Sequence, residues 1–238
     1  MKRFVYAIGD IHGQYDLFQQ LINFYDEESH QLVLIGDLND RGKQSKECFL
    51  LGKQLVEEQG ALYLRGNHEE NFLNFLQQPE DWYPNYIRYG GKETIESLLH
   101  AVATEEYSPT EIAMMIRSRY KELLDFLAQR PTHFEWKQYV FAHAGVDLTK
   151  PDWRDTSPHD FVWIRDAFHK GKNNTGKTIV FGHTITPMLH GDMQTTDLWL
   201  SDGKVGIDGG GVLGGSVHGV IFDDIEYQNL KGPWQPTL

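Results

Sequence analysis

Arg3-Phe4-Val5-Tyr6-Ala7-Ile8-Gly9-Asp10-Ile11-His12-Gly13, continued by the stretch from Gln14 to Tyr25, decides how this chain folds. Residues 3–8 form a β-branched and aromatic run that stops at glycine. Beyond the polar loop, Leu17, Leu21, Ile22 and Phe24 recur at helical spacing, so the stretch reads strand, loop, helix. The unit then recurs. Gln31 to Ile35 stops at Gly36, a polar loop runs through Gly42, and Ser45 to Gln59 places Cys48, Leu51 and Leu55 on one helical face. Ala61 to Leu64 stops at Gly66, ahead of a helix expected over Glu69 to Gln77 with Phe72, Phe75 and Leu76 as its apolar stripe. Repeated strand-loop-helix units predict α/β architecture, whose ligands sit outside the carboxyl ends of the strands. The polar loops are where chemistry is expected.

From Pro79 to Tyr89 the composition turns to Trp82, Tyr83, Pro84, Tyr86 and Tyr89, which reads as an ordered aromatic loop. Lys92 to Val102 and Thr110 to Gln129 read as two helices, the second opened by the capping box Ser108-Pro109-Thr110-Glu111. The second half is strand-rich: His133 to Trp136, Tyr139 to Ala142, Thr178 to Phe181, Leu198 to Leu200, Val205 to Ile207 and Val217 to Phe222. Ser201-Asp202-Gly203-Lys204 is a hairpin turn, and Pro158 to His169 a short helix capped by Ser157. With no internal repeat and no low-complexity linker, residues 1–238 are expected to form one domain with a helical insertion at about 79–130.

The chain has 238 residues, 40% of them hydrophobic, and 34 acidic against 22 basic side chains, for a net charge of −12. Such a chain can bury a sizeable core. Its apolar runs fall far short of the roughly 20 residues that span a bilayer, and no charged-then-apolar leader opens it. A cytoplasmic protein with no membrane contact is expected. Cys48, the only cysteine, excludes an internal disulfide and any cysteine-based zinc site and reads as a small buried apolar residue. The acidic balance and the lack of any Lys/Arg cluster disfavour double-stranded nucleic acid as a partner. It would also repel a small phosphorylated substrate, unless something cationic neutralises the carboxylates near the site. That requirement points to bound metal.

Five polar clusters stand directly after strands: Gly9-Asp10-Ile11-His12-Gly13, Gly36-Asp37-Leu38-Asn39-Asp40-Arg41-Gly42, Gly66-Asn67-His68-Glu69, His143-Ala144-Gly145 and Gly182-His183-Thr184. Imidazole with carboxylate suits first-row divalent ions, and the glycines let the backbone turn sharply. One such loop is ordinary turn chemistry; five in this order are not. The sequence resembles a phosphoprotein phosphatase of the calcineurin-like metallophosphoesterase superfamily, whose pattern GDxHG, GDxxDRG, GNHE, H[GA]G and GH is complete from Gly9 to His183. Arg65 before the third motif belongs to the match, and Ile207-Asp208-Gly209-Gly210 resembles the strand that closes bacterial members. The resemblance covers the chain apart from the helical insertion. It implies two mixed β-sheets packed as a sandwich and flanked by helices, in four αββα layers.

Carried over residue by residue, the resemblance implies that Asp10, His12 and Asp37 hold one divalent metal ion and that Asp37, Asn67, His143 and His183 hold a second. Manganese is the ion expected by family habit, with iron, zinc or nickel as alternatives. Phosphate esters would be hydrolysed by direct attack of a metal-bridging hydroxide. His68 is implied as general acid, Asp40 as the partner that orients its ring, and Arg41 with Arg165 as the clamp on the phosphoryl oxygens. The implied substrate is a phosphoserine or phosphothreonine protein. The runner-up is symmetrical hydrolysis of diadenosine tetraphosphate to ADP, a branch that often lacks the carboxylate at Asp40, whereas Trp82, Tyr83, Tyr86 and Tyr89 could stack an adenine. A monomer or weak dimer is expected.

Some positions carry blander expectations. Asn39 stands where many relatives have valine, with a small effect expected. His30, His100, His133, His159, His169, His190 and His218 match no ligand position, and Glu69 and Glu70 are read as favouring a helix N-terminus through its dipole.

Overall fold

The computed structural model describes residues 2–224 and the backbone of 227–228. In chain order the first half runs β1 (Phe4–Ile8), α1 (Tyr15–Ile22), β2 (His30–Leu34), α2 (Ser45–Gln59), β3 (Leu62–Tyr63) and α3 (Asn67–Gln77). A helical segment follows, α4 (Pro79–Arg88), α5 (Gly91–Leu98), α6 (Ala103–Glu106), α7 (Pro109–Arg119) and α8 (Lys121–Ala128). The second half holds β4 (His133–Trp136), β5 (Tyr139–Ala142), α9 (Pro158–Trp163), α10 (Asp166–His169), β6 (Thr178–Phe181), α11 (Thr186–His190), β7 (Trp199–Ser201) and β8 (Lys204–Gly206). The short strands β9 (Asp208–Gly209) and β10 (Ser216–Val217), then β11 (Gly219–Phe222) and β12 (Tyr227–Gln228), complete the order.

Two mixed sheets result. One has the order β12-β11-β1-β2-β3 with β1, β2 and β3 parallel; the other has the order β4-β5-β6-β8-β7 with β5, β6 and β8 parallel. Alternation along β1 shows how they stack, because successive side chains point to opposite faces. Val5 and Ala7 enter a core shared with Phe141, Val180 and Val205 of the second sheet, whereas Tyr6 and Ile8 face Phe18, Phe49 and Phe72 of the helices. The outer face of the second sheet, with Val140, Ile179 and Phe181, is covered by Trp153, Phe161 and Phe168. The layers are therefore helix, sheet, sheet, helix, as the resemblance implied. All five polar loops leave the carboxyl ends of β1, β2, β3, β5 and β6.

The expected loop at 79–89 is instead the helix α4. Pro79 occupies the first helical position and Glu80 and Asp81 the first turn, a favourable start, while Pro84 forfeits a single backbone bond. Packing outweighs that loss: the Tyr86 ring stacks on Phe75 at 5.1 Å and 15° and lies 5.9 Å from Phe72. The helix expected over 110–129 breaks at Tyr120, whose hydroxyl donates to the Leu98 carbonyl at 2.6 Å. That expected over 158–169 breaks at Ile164-Arg165, which turns the Arg165 guanidinium onto Thr184 Oγ1 at 2.8 Å. The caps at Ser108 and Ser157 form as expected, each hydroxyl accepting the backbone N–H three residues on. No helix among the described residues is long and apolar enough to cross a membrane.

Candidate metal centre

Asp10, His12, Asp37, Asp40, Asn67, His68, His143 and His183, scattered over 174 positions of sequence, meet at one edge of the sandwich and are all buried. Charged groups are almost never buried this deeply unless something pairs with them. The backbone is strained to place them: His12, Asp37, Asp40, Arg41 and His183 all have φ between 48° and 68°, a region that costs energy outside glycine. Glycines make room for the carboxylates, since a Cβ on Gly182 would stand 2.0 Å from Asp10 Oδ1 and one on Gly66 2.1 Å from Asp37 Oδ1.

Asp37 is central. Its Oδ2 lies 3.3 Å from His143 Nε2, 3.7 Å from His12 Nε2 and 3.9 Å from His68 Nε2. Two clusters of metal-ligating atoms share it, His12-Asp37-His68 and Asp37-His143-His183, each within 4.8 Å. Asn67 Oδ1 approaches His143 Nε2 at 2.9 Å and His183 Nδ1 at 2.7 Å. Asp10 stands outside these two clusters; its carboxylate accepts the His183 backbone N–H at 3.0 Å.

These residues fit divalent cations on their own geometry. Backbone carbonyls of Asn39 and Ile35 lie 2.8 and 3.1 Å from Nδ1 of His12 and His143, so each Nδ1 donates outward and each Nε2 presents a lone pair inward. At His143 that lone pair faces the Asn67 oxygen, a contact that becomes attractive only when a proton or a cation sits between them. Burial opposes charge on His143, yet Asp37 and then Asp10 raise it to about 9. For Asp37, burial disfavours ionisation, but the imidazoles of His143, His68 and His12 together hold it well below the usual carboxylate range. Asp10 is driven the other way by burial, then by Asp208 and Asp37, and burial keeps His12 and His183 well below the ordinary imidazole value. Neutral imidazoles around crowded carboxylates are ready ligands for a dication.

Arg41 and Arg165 are the exposed members, at the mouth. Arg41 spans two rings, with Nη1 2.7 Å from His12 Nε2 and Nη2 3.0 Å from His68 Nε2. His68 Nδ1 lies 2.7 Å from Asp40 Oδ2. On the rim, the Tyr89 ring stands 6.4 Å from that of His68 and 6.3 Å from that of Trp163. Of the aromatics considered for stacking a base, Tyr86 is fully buried and Trp82 and Tyr83 pack against the helical core, so Tyr89 alone borders the site.

Two residues, Glu69 and Asp208, matter more than the sequence reading allowed. Glu69 does more than favour a helix end: it reaches back to accept from the backbone N–H groups of Gly66, Asp37 and Leu38 at 2.8–2.9 Å and from the Tyr63 hydroxyl at 2.7 Å, tying the second motif to the third. Burial and then Asp37 push its carboxyl up, against the pull of those donors. Its place in the GNHE motif was the only signal. Asp208 is buried beside Asp10, and burial raises it to about 6. Asn39 is fully buried, its side-chain amide donating to the His68 carbonyl at 3.3 Å and its backbone carbonyl orienting His12.

A family profile described as calcineurin-like phosphoesterase matches residues 5–218. The chain belongs to that family. Its relatives include an asymmetrical bis(5'-nucleosyl)-tetraphosphatase of Halalkalibacterium halodurans, 26% identical over 94% of this chain and 92% of the relative. A symmetrical bis(5'-nucleosyl)-tetraphosphatase of Glaesserella parasuis is 31% identical over 62% of this chain and 46% of its own length. Serine/threonine-protein phosphatase 1 of Salmonella typhimurium is 24% identical over 76% and 79%. Among solved structures, a protein proposed to be a diadenosine tetraphosphatase superposes with a TM-score of 0.66 at 18% identity, covering 93% of this chain and 90% of that one, which shows the shared fold. This phosphoesterase is therefore a hydrolase of a family that uses divalent metals, and it carries His/Asp groups able to bind them.

Proposed function

We propose that this phosphoesterase hydrolyses phosphate monoesters with basic leaving groups, of the phosphoserine and phosphothreonine kind. The observation that carries the reading is the His68-Asp40 pair at 2.7 Å, buried and oriented at the mouth of the candidate centre. A serine or threonine alkoxide leaves poorly unless protonated, whereas a nucleoside diphosphate leaves readily, so an acid held this firmly serves the first class.

In this reading Asp10, His12 and Asp37 would hold one divalent ion and Asp37, Asn67, His143 and His183 the other, manganese being the expected metal. Bound there, the ions would supply Lewis-acid polarisation of the phosphoryl group and a water acidic enough to attack near neutral pH. The chain's own side chains do the rest. Arg41 and Arg165 are the clamp on the phosphoryl oxygens, their forked donors staying charged throughout. His68 delivers a proton to the departing oxygen, and Asp40 keeps its ring turned towards that oxygen.

A second reading has its own observation. Tyr89 and Trp163 form an aromatic rim beside His68 and His183, a surface on which a nucleobase could stack, and tetraphosphatases of both cleavage patterns are among the relatives. The deciding experiment compares kcat/KM of the manganese-loaded protein on a phosphoserine peptide and on diadenosine tetraphosphate in one buffer. A large excess on the peptide is expected. A large excess on the dinucleotide overturns the monoester reading, with ADP alone marking symmetrical cleavage and ATP with AMP the asymmetrical kind.

A further inference from the structure

Asp40 is a completely buried carboxylate whose two oxygens have separate partners. Oδ2 faces His68 Nδ1 at 2.7 Å, while Oδ1 accepts from the Tyr86 hydroxyl at 2.8 Å and the Thr94 hydroxyl at 2.6 Å. Both donors are themselves fully buried, and neither lies in any of the five phosphoesterase loops: Tyr86 belongs to α4 and Thr94 to α5, within the helical segment between β3 and β4. We propose that Tyr86 and Thr94 are positioning residues for protonation of the leaving group, clamping the Asp40 carboxylate so that His68 is held at the departing oxygen. The helical segment is then part of the catalytic apparatus, and the inference rests on the monoester reading in which His68 is the acid.

The physical need is plain. The terminal torsion of an aspartate is broad, so nothing intrinsic fixes the carboxylate plane, and a ring hydrogen-bonded to one oxygen would swing with it. Two donors on the other oxygen remove that freedom. Each is rigid in its turn. The Tyr86 ring is stacked on Phe75, and a Cβ on Gly91 would come within 2.5 Å of it, so the phenol has one available direction. The Thr94 oxygen also accepts the Asp40 backbone N–H at 2.9 Å and lies 3.0 Å from Ser45 Oγ, gripping both the backbone and the side chain of the same residue. Burial, with Asp40 beside it, pushes the Tyr86 phenol well above its ordinary value, so it remains a donor. The same segment braces the neighbouring clamp residue: the Arg41 N–H donates to the Gly90 carbonyl at 2.9 Å, at a position whose φ of +94° suits glycine.

The test uses aryl monoesters that differ in leaving-group basicity, phenyl phosphate and p-nitrophenyl phosphate, with the full manganese-loaded chain. Tyr86→Phe keeps the stacked ring, and Thr94→Val keeps the shape while Ser45 Oγ still accepts the Asp40 N–H at 3.1 Å, so both variants should fold. Each should lower kcat on phenyl phosphate roughly tenfold, a fraction of the roughly 10²–10⁴ that a general acid contributes, with KM shifted less than about twofold. On p-nitrophenyl phosphate, whose leaving group scarcely needs a proton, the loss should stay below about threefold. Thr94→Ser, which keeps the hydroxyl, should restore the wild-type ratio of the two rates. An equal loss on both substrates, no loss on phenyl phosphate, or a Thr94→Ser that behaves as Thr94→Val overturns the inference. His68→Asn separates this failure from that of the underlying reading. If His68→Asn steepens the leaving-group dependence and the other two do not, only the positioning role fails; if it leaves the dependence unchanged, the acid reading fails and the inference falls with it.

Discussion

Glu69→Gln exchanges one oxygen for an amide and asks how much of the centre hangs on a single carboxylate. Four donors converge on Glu69: Asp37 and Gly66 N–H on Oε2, Leu38 N–H and the Tyr63 hydroxyl on Oε1. Glutamine can keep the Oε2 pair, and its amide can donate to the Tyr63 oxygen once that hydroxyl turns. The Leu38 N–H, however, is left buried and facing another donor. An unsatisfied buried donor costs roughly 1–3 kcal/mol, and the two retained bonds each weaken on losing the charge, by about half of the roughly 1.5–3 kcal/mol of a bond to a charged group. Relief from burying a carboxylate offsets part of this, so a net loss of about 2–4 kcal/mol is expected, large against the roughly 5–15 kcal/mol of a typical domain. The loss falls on the strained loop that carries Asp37, where φ is 54°, so metal affinity should drop about 10–100-fold as well, as for other groups that support ligands. Urea unfolding monitored by tryptophan fluorescence would give the first number and metal titration of the dialysed protein the second. The exposed Glu58→Gln serves as control and should stay within about 0.5 kcal/mol. A Glu69→Gln variant as stable as that control, with unaltered metal affinity, would refute the view that this carboxylate ties the two loops together.

Other consequences can be checked directly. His68→Asn should slow turnover roughly 10²–10⁴-fold on a substrate with a poor leaving group and leave metal content intact by elemental analysis; undiminished turnover removes His68 as the acid. Asp37→Asn should strip or disorder both metals, because a neutral amide cannot offset two cations, and full dinuclear occupancy of that variant would contradict a bridging role. His169 is held neutral, burial lowering it to about 4 with Arg165 adding to the effect, whereas the unfolded chain titrates near the ordinary 6.5. Between those values the unfolded state binds the extra proton, so this group makes stability fall as pH drops from 6.5 to 4. His169→Gln should flatten that part of the stability profile, and an unchanged slope would show that the ring titrates normally in the fold.

What could be read from residues alone followed from how local each signal is. Continuous β-branched, aromatic and apolar runs ending at Gly9, Gly36 and Gly66, with helical stripes after them, specify parallel strands and crossovers within a few residues of their true bounds. Ser108 and Ser157 cap helices through contacts three residues long, and Asp202-Gly203 turns a hairpin whose strands pair Ser201 with Lys204. The polar loops announced themselves by residue type. Where the reading went wrong, the deciding contact was distant. Residues 79–88 look like a loop because they contain Pro84 and many aromatics, and they are a helix because Tyr86 finds Phe72, Phe75 and Asp40. Glu69 looks like a helix-dipole residue until Asp37 and Leu38, some thirty positions back, present their N–H groups to it.

The sequence by itself therefore determined the α/β class, the five loops and the kinds of side chain they carry, since hydrophobic runs, caps and turn residues act over one or two turns of chain; the αββα layering followed only from the resemblance that those loops carry. Only the tertiary structure decided how those side chains are oriented and supported: which imidazole nitrogens face inward, which oxygen of Asp40 meets His68, and that Tyr86 and Thr94 hold the other. Orientation is fixed by partners 46 and 54 residues away, and no local pattern records a contact whose two halves meet only once the sheets and helices have packed.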